Sequence, residues 1–209
     1  MPCSSAVQQD VALVGLTAGV ATTLILDSAE RLSHDLLGDF DDRWKHTLGV
    51  ARRAQRLADL LLPDQESRHR LVSAAWLHDI GHSPGLHRSG FSPLDGALHL
   101  ERLAWPTDVT ALVAHHSGAR FVAQVLGLAD PLTGKAARYP SLDDLTTDLL
   151  TYADQTVGPR GTRLKVEDRI HDSLLRHGPG SPVARAHRRR GPYLLQVAER
   201  TRALLVHWS

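Results

Sequence analysis

Six residues of metal-ligand type stand in apolar helical surroundings where unpaired polar groups would cost stability: His46, the adjacent pair His78-Asp79, the pair His115-His116, and Asp154. His78-Asp79 is the most informative, because it closes the apolar run Trp76-Leu77-His78-Asp79-Ile80-Gly81-His82. An imidazole and a carboxylate buried side by side are stabilised when they share a divalent cation. His46 lies in Trp44-Lys45-His46-Thr47-Leu48, His115-His116 ends Leu112-Val113-Ala114, and Asp154 ends Leu150-Thr151-Tyr152-Ala153. These segments predict four helices pointing ligands into one cavity of a bundle. Nitrogen and oxygen ligands without thiolate favour iron, manganese, cobalt, nickel or zinc over calcium. One buried metal centre is expected.

The elements that must position these residues are helical throughout. No stretch keeps a period of two over strand length, whereas three- and four-residue apolar spacing recurs along the chain, so the fold class is all-α. Residues 41–62 carry Trp44, Leu48, Ala51, Ala54, Leu57, Ala58 and Leu61 at helical steps, and Pro63 stops them. A second helix is expected from Gln65 to Ile80, with His78 and Asp79 in its last turn. Ser92-Pro93 reads as an N-cap and first-turn proline opening a helix to Leu103. Pro106 starts the helix that ends at His115-His116. A short helix over residues 119–126 is followed by a Gly/Pro-containing connection, then by a helix opened by Asp143-Asp144 that carries Asp154. Helices over 166–177 and 192–207 complete the set.

The chain of 209 residues with 42% apolar composition fits one domain, 1–209, with a core over 41–161, an N-terminal helical segment over 1–40 and a C-terminal one over 162–209. A formal charge of +1 gives no field that argues for nucleic acid or membrane as partner. The single cysteine, Cys3, excludes an internal disulfide framework and a thiolate cluster. The uncharged stretch Val11 to Leu26 is short for a membrane span, contains Gly15 and Gly19, and lacks a basic segment before it. A cytoplasmic protein acting on small molecules is the expectation.

The order His46, His78-Asp79, Asp154, with His46 in Arg-x-x-His-x-x-Gly-Val-Ala and Asp154 in Tyr-Ala-Asp, resembles the HD-domain superfamily of metal-dependent phosphohydrolases, whose pattern is H…HD…D on a compact helical core. The resemblance covers roughly Trp44 to Gly161. It implies that His46, His78, Asp79 and Asp154 bind the first metal, and that His115 and His116 stand where some branches keep ligands to a second. Those branches also carry a histidine where this chain has Ser92. A metal-bound water would attack a phosphoester or phosphoanhydride of a nucleotide or similar small phosphorylated metabolite. Asp79 would ligate and orient the water, and His82, His115 or His116 would protonate the leaving oxygen. Arg43, three residues before His46, is a candidate phosphate clamp, with Arg160 a weaker one. The alternatives are a di-iron oxygenase, which needs a complete second metal site, and a nucleotide-binding regulatory module without catalysis. The second HD dipeptide, His34-Asp35, and the basic run Arg185 to Arg190 read as solvated surface.

Overall fold

The structure, a computed structural model, describes residues 25–134, 137–142 and 144–207. Cys3, nearly all of the stretch from Val11 to Leu26, and Asp143 lie outside the described residues. Every regular element among the described residues is helical, and extended backbone pairs only at an isolated bridge between Val157 and Arg163. After α1, helical over residues 25–37, come α2 (Asp41–Leu61), α3 (Gln65–Leu77), α4 (Ser92–Arg102), α5 (Thr107–His115), α6 (Ala119–Leu126), α7 (Asp130–Thr133), α8 (Leu145–Gln155), α9 (Val166–His177) and α10 (Pro182–Val206). Short 3-10 turns at Ile80–His82 and Pro84–Leu86 follow α3, and a third, His116–Gly118, joins α5 to α6.

Local chemistry sets several boundaries. The Asp64 carboxylate accepts from the Ser67 amide at 2.7 Å to open α3, and Asp144 accepts from the Thr147 amide at 2.9 Å to open α8. Trp44 of α2 stacks on Trp76 of α3, with centroids 5.8 Å apart. Leu57, Leu77, Leu112, Leu149 and Leu150, from α2, α3, α5 and α8, are buried together in the main core. Each contributes roughly 1.5–3 kcal/mol relative to exposure. A smaller cluster joins Phe91 and Leu94 of the α4 region to Val122 of α6 and Tyr139.

Four sequence expectations differ from the fold. Helix α3 ends at Leu77, not at Ile80, so His78 and Asp79 stand at the helix break rather than inside the last turn. Ser92 makes no capping hydrogen bond to α4; Phe91 holds the cap position, and the Ser92 hydroxyl meets His82 Nε2 at 3.0 Å. The connection before α8 contains the one-turn helix α7. Pro192, expected to start the last helix, lies inside α10, which begins ten residues earlier with Pro182 in its first turn and Ser181 accepting from the Ala184 amide at 3.1 Å. The buried face of Ala186, Leu194, Val197 and Ala198 continues on both sides of Pro192, and packing carries the helix past the missing amide.

Candidate metal centre

His46 projects from the second turn of α2, His78 and Asp79 follow α3, His116 follows α5, and Asp154 sits in the last turn of α8. Their side chains converge although they come from four helices, and all five residues are buried. His46, His78 and Asp79 each bring a ligand atom within 4.8 Å of the others and could hold a metal ion. His46 Nε2 lies 3.0 Å from Asp154 Oδ1 and 3.8 Å from Asp79 Oδ2. His78 Nε2 is 3.6 Å from Asp79 Oδ2, and His116 Nε2 is 3.9 Å from Asp79 Oδ1.

The three imidazoles share one orientation. Nδ1 of His46 donates to the Gly158 carbonyl at 3.1 Å, that of His78 to Ala75 at 2.8 Å, and that of His116 to Val113 at 2.7 Å. A carbonyl can only accept, so each Nδ1 carries the proton and each Nε2 turns inward. This is how a ligating histidine is oriented by its second hydrogen bond. His78 Nε2 is buried and has no hydrogen-bond partner. Burial pushes the His78 imidazole down to about 4, so its inward nitrogen presents a free lone pair. An orphaned lone pair beside buried carboxylates fits a cation.

Both carboxylates are held ionised. Burial pushes Asp79 up, but His78, Arg43 and neighbouring imidazoles more than reverse it and hold it well below the usual carboxylate range. Burial likewise opposes ionisation of Asp154, and the His46 contact more than offsets it. Asp154 Oδ2 accepts from the Ser117 hydroxyl and from Gln155 Nε2, the latter at 2.9 Å. Ser117 is held in a left-handed conformation, φ 53°, uncommon for a side-chain-bearing residue. Its amide bonds Thr151 Oγ1 at 3.2 Å and its carbonyl accepts from Arg190 Nε at 2.8 Å, which fixes that strained turn beside Asp154.

Two close backbone approaches set this geometry. A Cβ on Gly81 would fall 2.0 Å from the Ser92 carbonyl oxygen, so only glycine lets the turn after His78-Asp79 lie against α4. Gly161, at φ +75°, lies against the Lys45 carbonyl, and a Cβ on Gly49 would meet Val157 at 2.8 Å. The loop after α8 is thereby drawn onto α2, bringing the Gly158 carbonyl to His46.

The remaining sequence candidates separate clearly. His82 Nε2 stands 3.5 Å from Asp79 Oδ1 at the cavity wall. Arg43 Nη1 donates to Asp79 Oδ2 at 2.6 Å, which raises the guanidinium's pKa. His115 is not brought to the cluster: its Nε2 donates to the Tyr139 carbonyl at 2.6 Å. The two adjacent rings diverge, His115 toward Tyr139 and His116 toward Asp79. Arg160 is exposed on the loop after α8 and does not line the cavity over the cluster. His34 and Asp35 are exposed, as the sequence suggests.

That cavity, of about 540 Å³, is also lined by residues that sequence reasoning passed over: Arg169, Arg176 and His177 of α9, and Arg190 of α10. Arg190 belongs to the basic run read as solvated surface, and its only sequence signal was that run. No described helix is long and apolar enough to cross a membrane.

A family model described as HD domain matches residues 43–157, more than half of the chain. Neither the curated proteins nor the solved structures yield a match. The matched span holds His46, His78, Asp79 and Asp154, and with the all-helical fold around them it carries the conclusion that this chain belongs to the HD-domain family.

Proposed function

We propose that the chain is a metal-dependent phosphohydrolase acting on a nucleotide or similar small phosphorylated metabolite. The observation that carries this reading is the set of three inward Nε2 atoms around Asp79 and Asp154, at the floor of a cavity lined with arginines. His46, His78, Asp79 and Asp154 would hold one divalent transition ion, with His116 as a further ligand. A bound ion supplies Lewis acidity toward a phosphoryl oxygen and a hydrolytic water of lowered pKa.

The chain's own groups do the rest. Asp79, kept ionised, orients a water at the cavity floor. His82 has its pKa lowered by burial, with Asp79 opposing, and is a neutral base at physiological pH. Its Nε2, which faces the Ser92 hydroxyl, would exchange that contact for the water, take its proton and return it to the leaving oxygen. The Ser92 hydroxyl, 3.0 Å away, fixes the ring until then. Arg43 offers a forked donor to the phosphoryl group.

The test is release of phosphate from a panel of nucleotides and sugar phosphates, with Mn²⁺, Fe²⁺, Co²⁺, Ni²⁺ or Zn²⁺ added in turn. Metal-dependent release from at least one compound is expected. A metal-loaded chain that releases phosphate from none of them overturns the reading.

A further inference from the structure

Arg169 is 9% exposed, yet its Nε and Nη1 have no hydrogen-bond partner. The nearest carboxylate oxygens are 3.6 Å from Nη1, on Asp172, and 3.9 Å from Nη2, on Asp154. Buried guanidinium donors are costly to leave unmatched. This side chain borders two cavities, the one over the metal cluster and a second beside Arg43.

Three more guanidiniums face the same space. Arg190 reaches it from α10 with only its Nε committed to the Ser117 carbonyl among the bonds that hold it. Arg176 leans on Asp172 at 2.9 Å, and Arg43 on Asp79. The His177 imidazole at the rim is pushed down by burial and then by Arg176, Arg190, Arg169 and Arg43 in turn, so all four charges bear on one point. The carboxylates opposing them are Asp79 and Asp154, which belong to the metal set, and Asp172. A cation at the centre would draw on Asp79 and Asp154 and leave Asp172 to face these guanidiniums.

We propose that α9 and α10 build an anion subsite beside the metal centre, in which Arg169 and Arg190 hold a second anionic group of the substrate. The substrate class is then a small molecule bearing two anionic groups, a phosphoryl group to be hydrolysed and a further phosphate or carboxylate, rather than a simple monoester. The identity of the first group rests on the phosphohydrolase reading; the subsite itself does not. Both arginines lie outside residues 43–157, so the subsite belongs to this chain's C-terminal extension and not to the shared family core.

The experiment is calorimetric titration of the full-length chain, as purified with its metal, with alkylphosphonates, the matching α,ω-bisphosphonates and the matching phosphonocarboxylates. None of these carries a phosphoester, so binding is read whether or not the chain hydrolyses one. Wild type should bind at least one doubly charged series about ten-fold or more tighter than the monophosphonate, and which series wins identifies the second group. Arg190→Gln and Arg169→Gln should each erase that preference while metal content stays unchanged. If Arg169→Gln does not fold, Arg190→Gln decides. Equal binding of singly and doubly charged ligands by wild type, or a preference undiminished in Arg190→Gln, overturns the proposal.

Discussion

His46 Nε2 and Asp154 Oδ1 lie 3.0 Å apart across 108 residues of sequence. The contact ties the second turn of α2 to the last turn of α8, and the other nitrogen of the same ring is held by the Gly158 carbonyl just beyond α8. The same stretch of chain thus holds the ring by its Nδ1 and sets a carboxylate beside its Nε2, which also faces Asp79. His46 and Asp154 are supplied by helices, and His78, Asp79 and His116 by the tight turns that directly end α3 and α5.

The two adjacent histidines should behave differently on truncation. His116→Ala removes an inward Nε2, and metal affinity should fall at least about ten-fold, with phosphate release falling alongside it. His115→Ala removes the donor to the buried Tyr139 carbonyl, and should cost about 1–3 kcal/mol in chemical denaturation while metal content stays intact. A larger metal loss in His115→Ala than in His116→Ala would contradict the geometry.

Gly81→Ala should destabilise the fold by about 2–4 kcal/mol, because the added methyl meets the Ser92 backbone rather than a movable side chain. Gly85→Ala, four residues on, adds a methyl to open space and should change stability by less than about 0.5 kcal/mol. Urea midpoints of the two variants check this pair, and similar midpoints would count against the close approach.

Acid should unfold the chelator-treated chain from just below neutrality. The His78 imidazole sits at about 4 in the fold and near its ordinary 6.5 when unfolded. Between those values the unfolded chain takes up a proton that the folded chain refuses, so stability is complete above about pH 6.5 and falls with pH below it. The loss by about pH 5 is of order 2 kcal/mol, and Asp79 and Asp154, held low in the fold, extend it further down. Denaturation curves near pH 7.5 and pH 5 measure it directly. Equal stability at the two would contradict a neutral, buried His78.

Much of this centre was legible in the sequence because its residues break a local rule. His46, His78, Asp79 and Asp154 are polar groups in apolar helical runs, and such groups need partners. The cavity walls broke no such rule. Arg169 and Arg190 sit on amphipathic helices where arginine ordinarily faces water, and only the packing of α9 and α10 against the cluster turns them inward. His115 and His116 could not be told apart because both are ligand-type residues at one helix end, and only the packing shows that His115 meets the Tyr139 carbonyl while His116 meets the cluster. Pro192 misled for a related reason: a proline marks a helix start only when no capped helix is already running, and Ser181-Pro182 had begun one. Ser92 satisfied the pattern of a cap, yet its hydroxyl is engaged by His82.

The most direct test of the central claim is the metal content of the full chain purified without chelator, beside His78→Ala and Asp79→Asn. The account predicts about one divalent transition ion per wild-type chain and little or none in either variant, with hydrolysis lost in parallel. Two iron atoms per chain with oxygen consumption would point to the oxygenase alternative. Full metal content and undiminished phosphate release in Asp79→Asn would contradict the account.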